Sequence, residues 1–161
     1  MKVKVYRLRS FVTDTGTGME GMLTHSAHFQ DGSIRYGFQP KGLDQETREP
    51  LKRIFLESAR VEGSNPPTEE IELPVEILGT IVTDEASGFT GRAIQLIQHT
   101  HGCVHVMVQS QEKTKSGNPV DPCDFNFIQL TGEAIKPMTE SEKGKSRAEK
   151  PSPAGMPSGL I

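Results

Sequence analysis

Tryptophan is absent from the chain, and tyrosine and cysteine each occur only twice. Two cysteines, Cys103 and Cys123, cannot build a disulfide framework. No apolar run approaches the 18 or so residues of a membrane span. The opening Met1-Lys2-Val3-Lys4-Val5 lacks the apolar core of a secretory signal. These absences predict a soluble protein of the cytoplasm. A large charge of one sign is also missing. The net charge of −3 gives no reason to expect non-specific nucleic-acid binding. Glycine and proline are plentiful instead, with 16 and 11 in 161 residues. Such a composition favours many short turns over long helices. The length fits one ordinary domain or two small ones.

The charge is uneven. Residues 136–161 carry five basic and three acidic side chains, which leaves the preceding body at −5. This Ser/Pro/Gly/Lys-rich stretch has few sizeable apolar groups, so it reads as a flexible tail. Its apolar tip, Leu160-Ile161, suits an interaction arm that orders on a neighbouring subunit.

At an offset of 70 the chain aligns with itself without a gap. Val12-Thr13-Asp14 matches Val82-Thr83-Asp84, and Gly18, Gly21, Gly32 and Gln39 match Gly88, Gly91, Gly102 and Gln109. Val5, Leu8 and Phe55 fall on Val75, Leu78 and Phe125. Repeats of this kind mark repeated structural units. Residues 1–62 and 71–135 therefore read as two copies, joined by a linker over 63–70 and followed by the tail.

Each copy has the pattern of short strands. Val3 and Val5 open the first, and Leu73, Val75 and Ile77 open the second. Strands over 22–29 and 92–99 follow a glycine-bearing turn. Asp31-Gly32 and His101-Gly102 read as two-residue hairpin turns. The returning strands alternate, with Ile34, Tyr36 and Phe38, then Val104, Val106 and Val108, facing inward. A last apolar segment lies near 55–61 and 125–130. Four or five strands in about 65 residues predict a mainly β chain of two tandem small SH3-like β-barrel repeats. Units of that size are marginal alone and are expected to pack together or oligomerise.

Several motifs dissolve on inspection. Asp14-Thr15-Gly16 spells the aspartic-protease triplet, but that chemistry needs two carboxylates sharing a proton, and the second copy reads Asp84-Glu85-Ala86. Gly16-Thr17-Gly18-Met19-Glu20-Gly21 fits the dinucleotide fingerprint, yet a strand follows where a helix is required. The alternate residues His99, His101, Cys103 and His105 suggest a metal strip. A two-residue loop would turn His99 to the opposite face from Cys103 and His105, so no metal site is expected. His101, Cys103 and His105 remain its candidate ligands. Phe89 reads as a plug for the barrel end, or as a stacking platform.

The string Leu78-Gly79-Thr80-Ile81-Val82-Thr83-Asp84, then Ser87-Gly88-Phe89-Thr90-Gly91, Gly102-Cys103 and Val108-Gln109, resembles a small module of uncharacterised tailed-phage and prophage proteins (LGxxVxDxxTGFxG, GC, VQP). The turn is also similar to the KOW turn of SH3-like barrels. The resemblance brings no catalytic residues and no cofactor. Together with the duplicated compact module, the lack of a converging catalytic set and the arm ending in Leu160-Ile161, this phage-type resemblance leads to the expectation of a non-enzymatic virion accessory: a capsid decoration, cementing or head–tail subunit. Its partners would be copies of itself or capsid and tail proteins. One alternative is a phage protein that sequesters a nucleotide signal, with Phe89 stacking on the base and Arg92 or Arg35 meeting phosphates. Another is a nucleic-acid-binding SH3-like module.

Overall fold

A computed structural model describes residues 1–135. It is mainly β, 47% strand and 8% helix, in open sheets. The expected tail, with Leu160 and Ile161, lies outside the described residues. The strands are β1 (Lys2–Tyr6), β2 (Phe11–Thr13), β3 (Glu20–Phe29), β4 (Ile34–Pro40), β5 (Ile54–Glu57), β6 (Thr68–Glu72), β7 (Ile81–Asp84), β8 (Thr90–His99), β9 (Val104–Gln109), β10 (Cys123–Asn126) and β11 (Leu130–Thr131). Helix α1 (Ser58–Glu62) follows β5, and single 3-10 turns occupy Val75–Ile77 and Phe127–Gln129.

Residues 11–57 and 81–126 pair on one plan. In each, the short first strand pairs with the long second, which pairs with the third, which pairs with the fourth. Both long strands carry a bulge at the same place, between Leu23 and His25 and between Ala93 and Gln95. Such bulges re-aim side chains and tighten the twist. Gln39 and Gln109 do the same work: each side-chain amide donates to a carbonyl of the following loop, of Leu51 at 2.7 Å and of Val120 at 2.8 Å. The long loop of the second half is one residue shorter, so the offset falls there from 70 to 69. Phe125 consequently matches Leu56, not Phe55, because Leu56 pairs with Tyr36 as Phe125 pairs with Val106.

The halves join through β3 and β8, antiparallel, with His25 opposite His99, Ala27 opposite Ile97 and Phe29 opposite Gln95. Exchanging each residue for its counterpart 70 positions away returns the same pairs. The register is therefore symmetric about Ala27 and Ile97. The path β10-β9-β8-β3-β4-β5 is one continuous sheet. A separate ribbon pairs β1 with β6. Thr68–Glu72 is thus strand where a linker was expected up to residue 70. The second opening strand lies earlier than expected, because Pro74 cannot donate to a ladder and Val75–Ile77 coils into the 3-10 turn.

Each half has its own core. Leu23, Tyr36, Phe38, Leu56 and Val61 pack in the first, and Ile77, Val82, Val106, Val108 and Leu130 in the second. Full burial of a side chain such as Phe38 contributes about 1.5–3 kcal/mol. The inward alternation of β4 and β9 is as the sequence predicted. Leu73, Leu78 and Leu96 form a third cluster, with Val3, Ile71 and Val104 against it.

The glycine-bearing turns are built around buried aspartates. Backbone N–H groups of Gly18 and Gly88 donate to the carbonyls of Asp14 and Asp84, and both glycines have positive φ. Asp14 is fully buried and accepts from Gly16 N, from Thr17 Oγ1 at 2.6 Å, and from Arg60 through a two-pronged pair at 2.8 and 2.5 Å. The Arg60 guanidinium beside it pulls its pKa down to about 2. Asp84 accepts from the backbone N–H and hydroxyl of Ser87, and among the described residues its Oδ1 has no partner. The shared backbone bonds explain the difference. Thr15 N donates to Arg60 O as Glu85 N donates to Gln129 O, so Gln129 stands where Arg60 does. Ala86 likewise replaces Gly16, where an added Cβ would meet Arg60 Nε at 2.9 Å.

Three outcomes follow from this geometry. Stability from the Asp14–Arg60 pair is present above the ordinary aspartate pKa of 3.8 and is lost as pH falls to about 2. Arg60→Ala is expected to lower the urea midpoint at pH 7 and to flatten that acid limb. The double change Ala86→Gly, Gln129→Arg rebuilds the pair in the second half and is expected to raise the melting temperature. A Cβ at Gly21 or Gly91 would meet the carbonyl oxygen of Gln39 or Gln109 at 2.3 Å. Gly91→Ala should cost about 1–3 kcal/mol in urea denaturation.

Candidate functional site

The hairpins β3–β4 and β8–β9 turn through three residues, not two. Phe29 N donates to Ser33 O and His99 N to Cys103 O, with Gly32 and Gly102 at positive φ closing each loop. This is the three-residue hairpin with a left-handed last residue. The extra residue reverses the expected facing. His99 lies opposite Cys103 and Ile97 opposite His105, so His99, Cys103 and His105 share one face of the sheet. The expectation that His99 points away from the other two is corrected on this ground.

That face carries a row of rings across the join between the halves. Phe55 of β5 meets His25 of β3 edge-on at 5.0 Å between centroids. His25 lies 5.8 Å from His99 of β8. His99 stacks on His101 at 5.3 Å and meets His105 of β9 edge-on at 5.1 Å. Asp124 of β10 closes the row, its Oδ2 accepting from His105 Nδ1 at 2.8 Å. β4 contributes Gly37, which must be glycine: a Cβ there would lie 2.1 Å from His25 Cε1. An open groove of about 510 Å³ runs along the row, with Arg53, Met22 and Met107 on its walls.

Burial sets the electrostatics. It lowers the pKa of His25, with Arg53 adding to the effect. It lowers His99 to about 4, assisted by the neighbouring His105, His25, His101 and Arg53. These imidazoles are neutral at pH 7. His105 is buried, and among the described residues its Nε2 has no hydrogen-bond partner. Among the described residues, no group of three or more His, Cys, Asp or Glu side chains could hold a metal ion. On the opposite face, His28 bonds Ser26 Oγ at 2.9 Å, and that hydroxyl donates to Gln98 Oε1 at 3.1 Å. Burial takes His28 to about 4 as well.

The residues predicted for a nucleotide do not assemble. Phe89 is half-buried, packed on Phe125 with centroids 5.4 Å apart, at the edge of the second core. Arg92 donates to the carbonyl of Gly79, and Arg35 lies over the ring of Phe29 at 5.4 Å. Of the expected metal candidates, His101 and His105 both flank His99, and the Cys103 N–H donates to His101 Nδ1 at 3.3 Å. Sequence reasoning missed His25, Phe55 and Asp124 in this row. The alternation within each strand was visible, but nothing local says that β3 pairs with β8. No helix among the described residues is long and apolar enough to cross a membrane.

No family model, curated protein or solved structure matches the chain.

The lowered imidazoles make stability pH-dependent. An unfolded histidine titrates near 6.5, whereas folded His28 and His99 take a proton only near 4. Their contribution is complete above 6.5 and is lost as pH falls toward 4. Urea midpoints should therefore drop between pH 7 and pH 4.5, and His99→Gln should shrink that drop.

Proposed function

We propose that the protein is a non-enzymatic, phage-type virion accessory, made of two tandem SH3-like repeats and acting through protein–protein contacts. The SH3-like reading is supported by the second half, whose strands run in the order β11-β7-β8-β9-β10 with a 3-10 turn between β10 and β11. In the first half α1 takes the place of the last strand, and the Arg60 carbonyl still receives the Thr15 N–H.

The observation that carries the reading is a matched pair of exposed apolar side chains. Phe11 and Ile81 stand 70 residues apart, each at the start of the first strand of its half, and are 74% and 43% exposed. Single exposed apolar residues are ordinary. A repeated one gives the chain two like contact points, and two weak contacts on one rigid body multiply each other. A capsid or tail surface, with its repeated subunits, offers such paired targets.

The test is mass spectrometry of purified virions, in which the protein is expected at a fixed ratio to the major capsid or tail proteins. Its absence from virions overturns the reading. Phe11→Ser with Ile81→Ser should abolish virion association while the chain stays folded by its melting transition, since Phe11 is largely solvated and Ile81 partly so.

A small-ligand sequestering role is the second reading. The ring-lined groove with Arg53 at its wall favours it, rather than Phe89, Arg92 and Arg35. Isothermal titration with cyclic and ADP-ribose-type nucleotides decides it, and heat with none of them rejects it.

A further inference from the structure

We infer that the groove along the ring row seats one flat aromatic ring bearing a phosphate, with the ring on His101 and His99 and the phosphate at Arg53. This rests on the ligand-binding reading above and names the chemistry of its site. Arg53 is exposed on the groove wall, and among the described residues no carboxylate pairs with it. It stands near enough to His25 and His99 for its charge to act on both rings. Asp124 lines the same groove but is bonded to His105 Nδ1 at 2.8 Å. An unpaired guanidinium presents a planar fork of donors that matches a phosphate. The rings supply the other half of the site. His99 and His101 lie 5.3 Å apart and 12° from parallel, and the outer ring, His101, is exposed. A flat aromatic ring laid on His101 continues that stack. Met22 and Met107, both half-buried, flank it with soft thioether side chains that adapt to a ring edge. A volume of about 510 Å³ lies within the range of small-molecule sites.

The repeat offers a comparison within the molecule. Exchanging the halves sends His25 and His99 to Gln95 and Phe29, which also stand opposite each other. There Arg35 lies over the Phe29 ring at 5.4 Å, so the protein's own cation already covers a ring face. At the ring-row end no described cation lies over a ring, and Arg53 is left to meet a charge from outside. The two ends of the join thus differ, and one ligand per chain is the consequence.

The probe is AMP, with adenosine as its uncharged counterpart, each titrated to millimolar concentration into the isotope-labelled full chain at neutral pH and followed by NMR. AMP is expected to shift the His99, His101 and Arg53 side-chain signals saturably, at one equivalent per chain, and adenosine to bind more weakly. Arg53→Gln should weaken AMP binding about 10- to 100-fold, the worth of one charge-assisted hydrogen bond, and leave adenosine unchanged. His101→Asn should weaken both alike, by about tenfold. The asparagine keeps an acceptor for the Cys103 N–H, as Asp31 does for that of Ser33, so the turn is retained. Absence of any AMP-induced shift in the groove overturns the inference, and so does an AMP affinity that Arg53→Gln leaves unchanged. If cyclic or ADP-ribose-type nucleotides bind both variants as tightly as the wild type, the ligand-binding reading stands and this site falls. If no nucleotide binds, both fall.

Discussion

Five residue pairs between β3 and β8 hold the architecture together. Without them the chain would be two small sheets, each with an open edge along its longest strand. Open edges pair with whatever strand arrives, and short units bury too little surface to be stable alone. Pairing the two longest strands with each other removes both edges at once. The symmetric register about Ala27 and Ile97 lets one set of residues serve both sides of the join. The histidine row and the groove along it exist because of this pairing, since His25 and His99 are brought opposite each other only there.

The two halves keep the same hydrogen bonds while differing in how they neutralise a buried charge. Asp14 has Arg60, whereas Asp84 is met by the Ser87 hydroxyl. The change is coupled. The guanidinium needs the space that Gly16 leaves, and Ala86 closes that space where Gln129 replaces the arginine. A backbone plan can thus persist while its polar interior is rewired. The half without the ion pair packs Phe89 and Phe125 against the edge of its core, whereas the other half has Met19 at the matching turn position.

Much of this was legible in the sequence. The inward faces of β4 and β9 and the glycine-bearing turns that lead into the long strands follow from alternation and residue type. The misreadings have definite physical causes. A third loop residue, with Gly32 or Gly102 in the left-handed region, rotates the partner strand by one position and carries His99 to the other face. One residue lost from a loop of equal appearance moves Phe125 from Phe55 to Leu56. Pro74 pushes a strand earlier in the chain. The join between the halves left no local trace, because a strand that pairs across the molecule has the same alternation as one that pairs with its neighbour.

Disulfide trapping across the join tests the central claim most directly. In a chain with Cys103 and Cys123 replaced by serine, cysteines at 27 and 97 stand on directly opposed positions, within the separation a disulfide spans. Rapid, intramolecular cross-linking of 27 to 97 is expected, with little of 27 to 95. Cross-links only between chains, or equal trapping of both pairs, would contradict it.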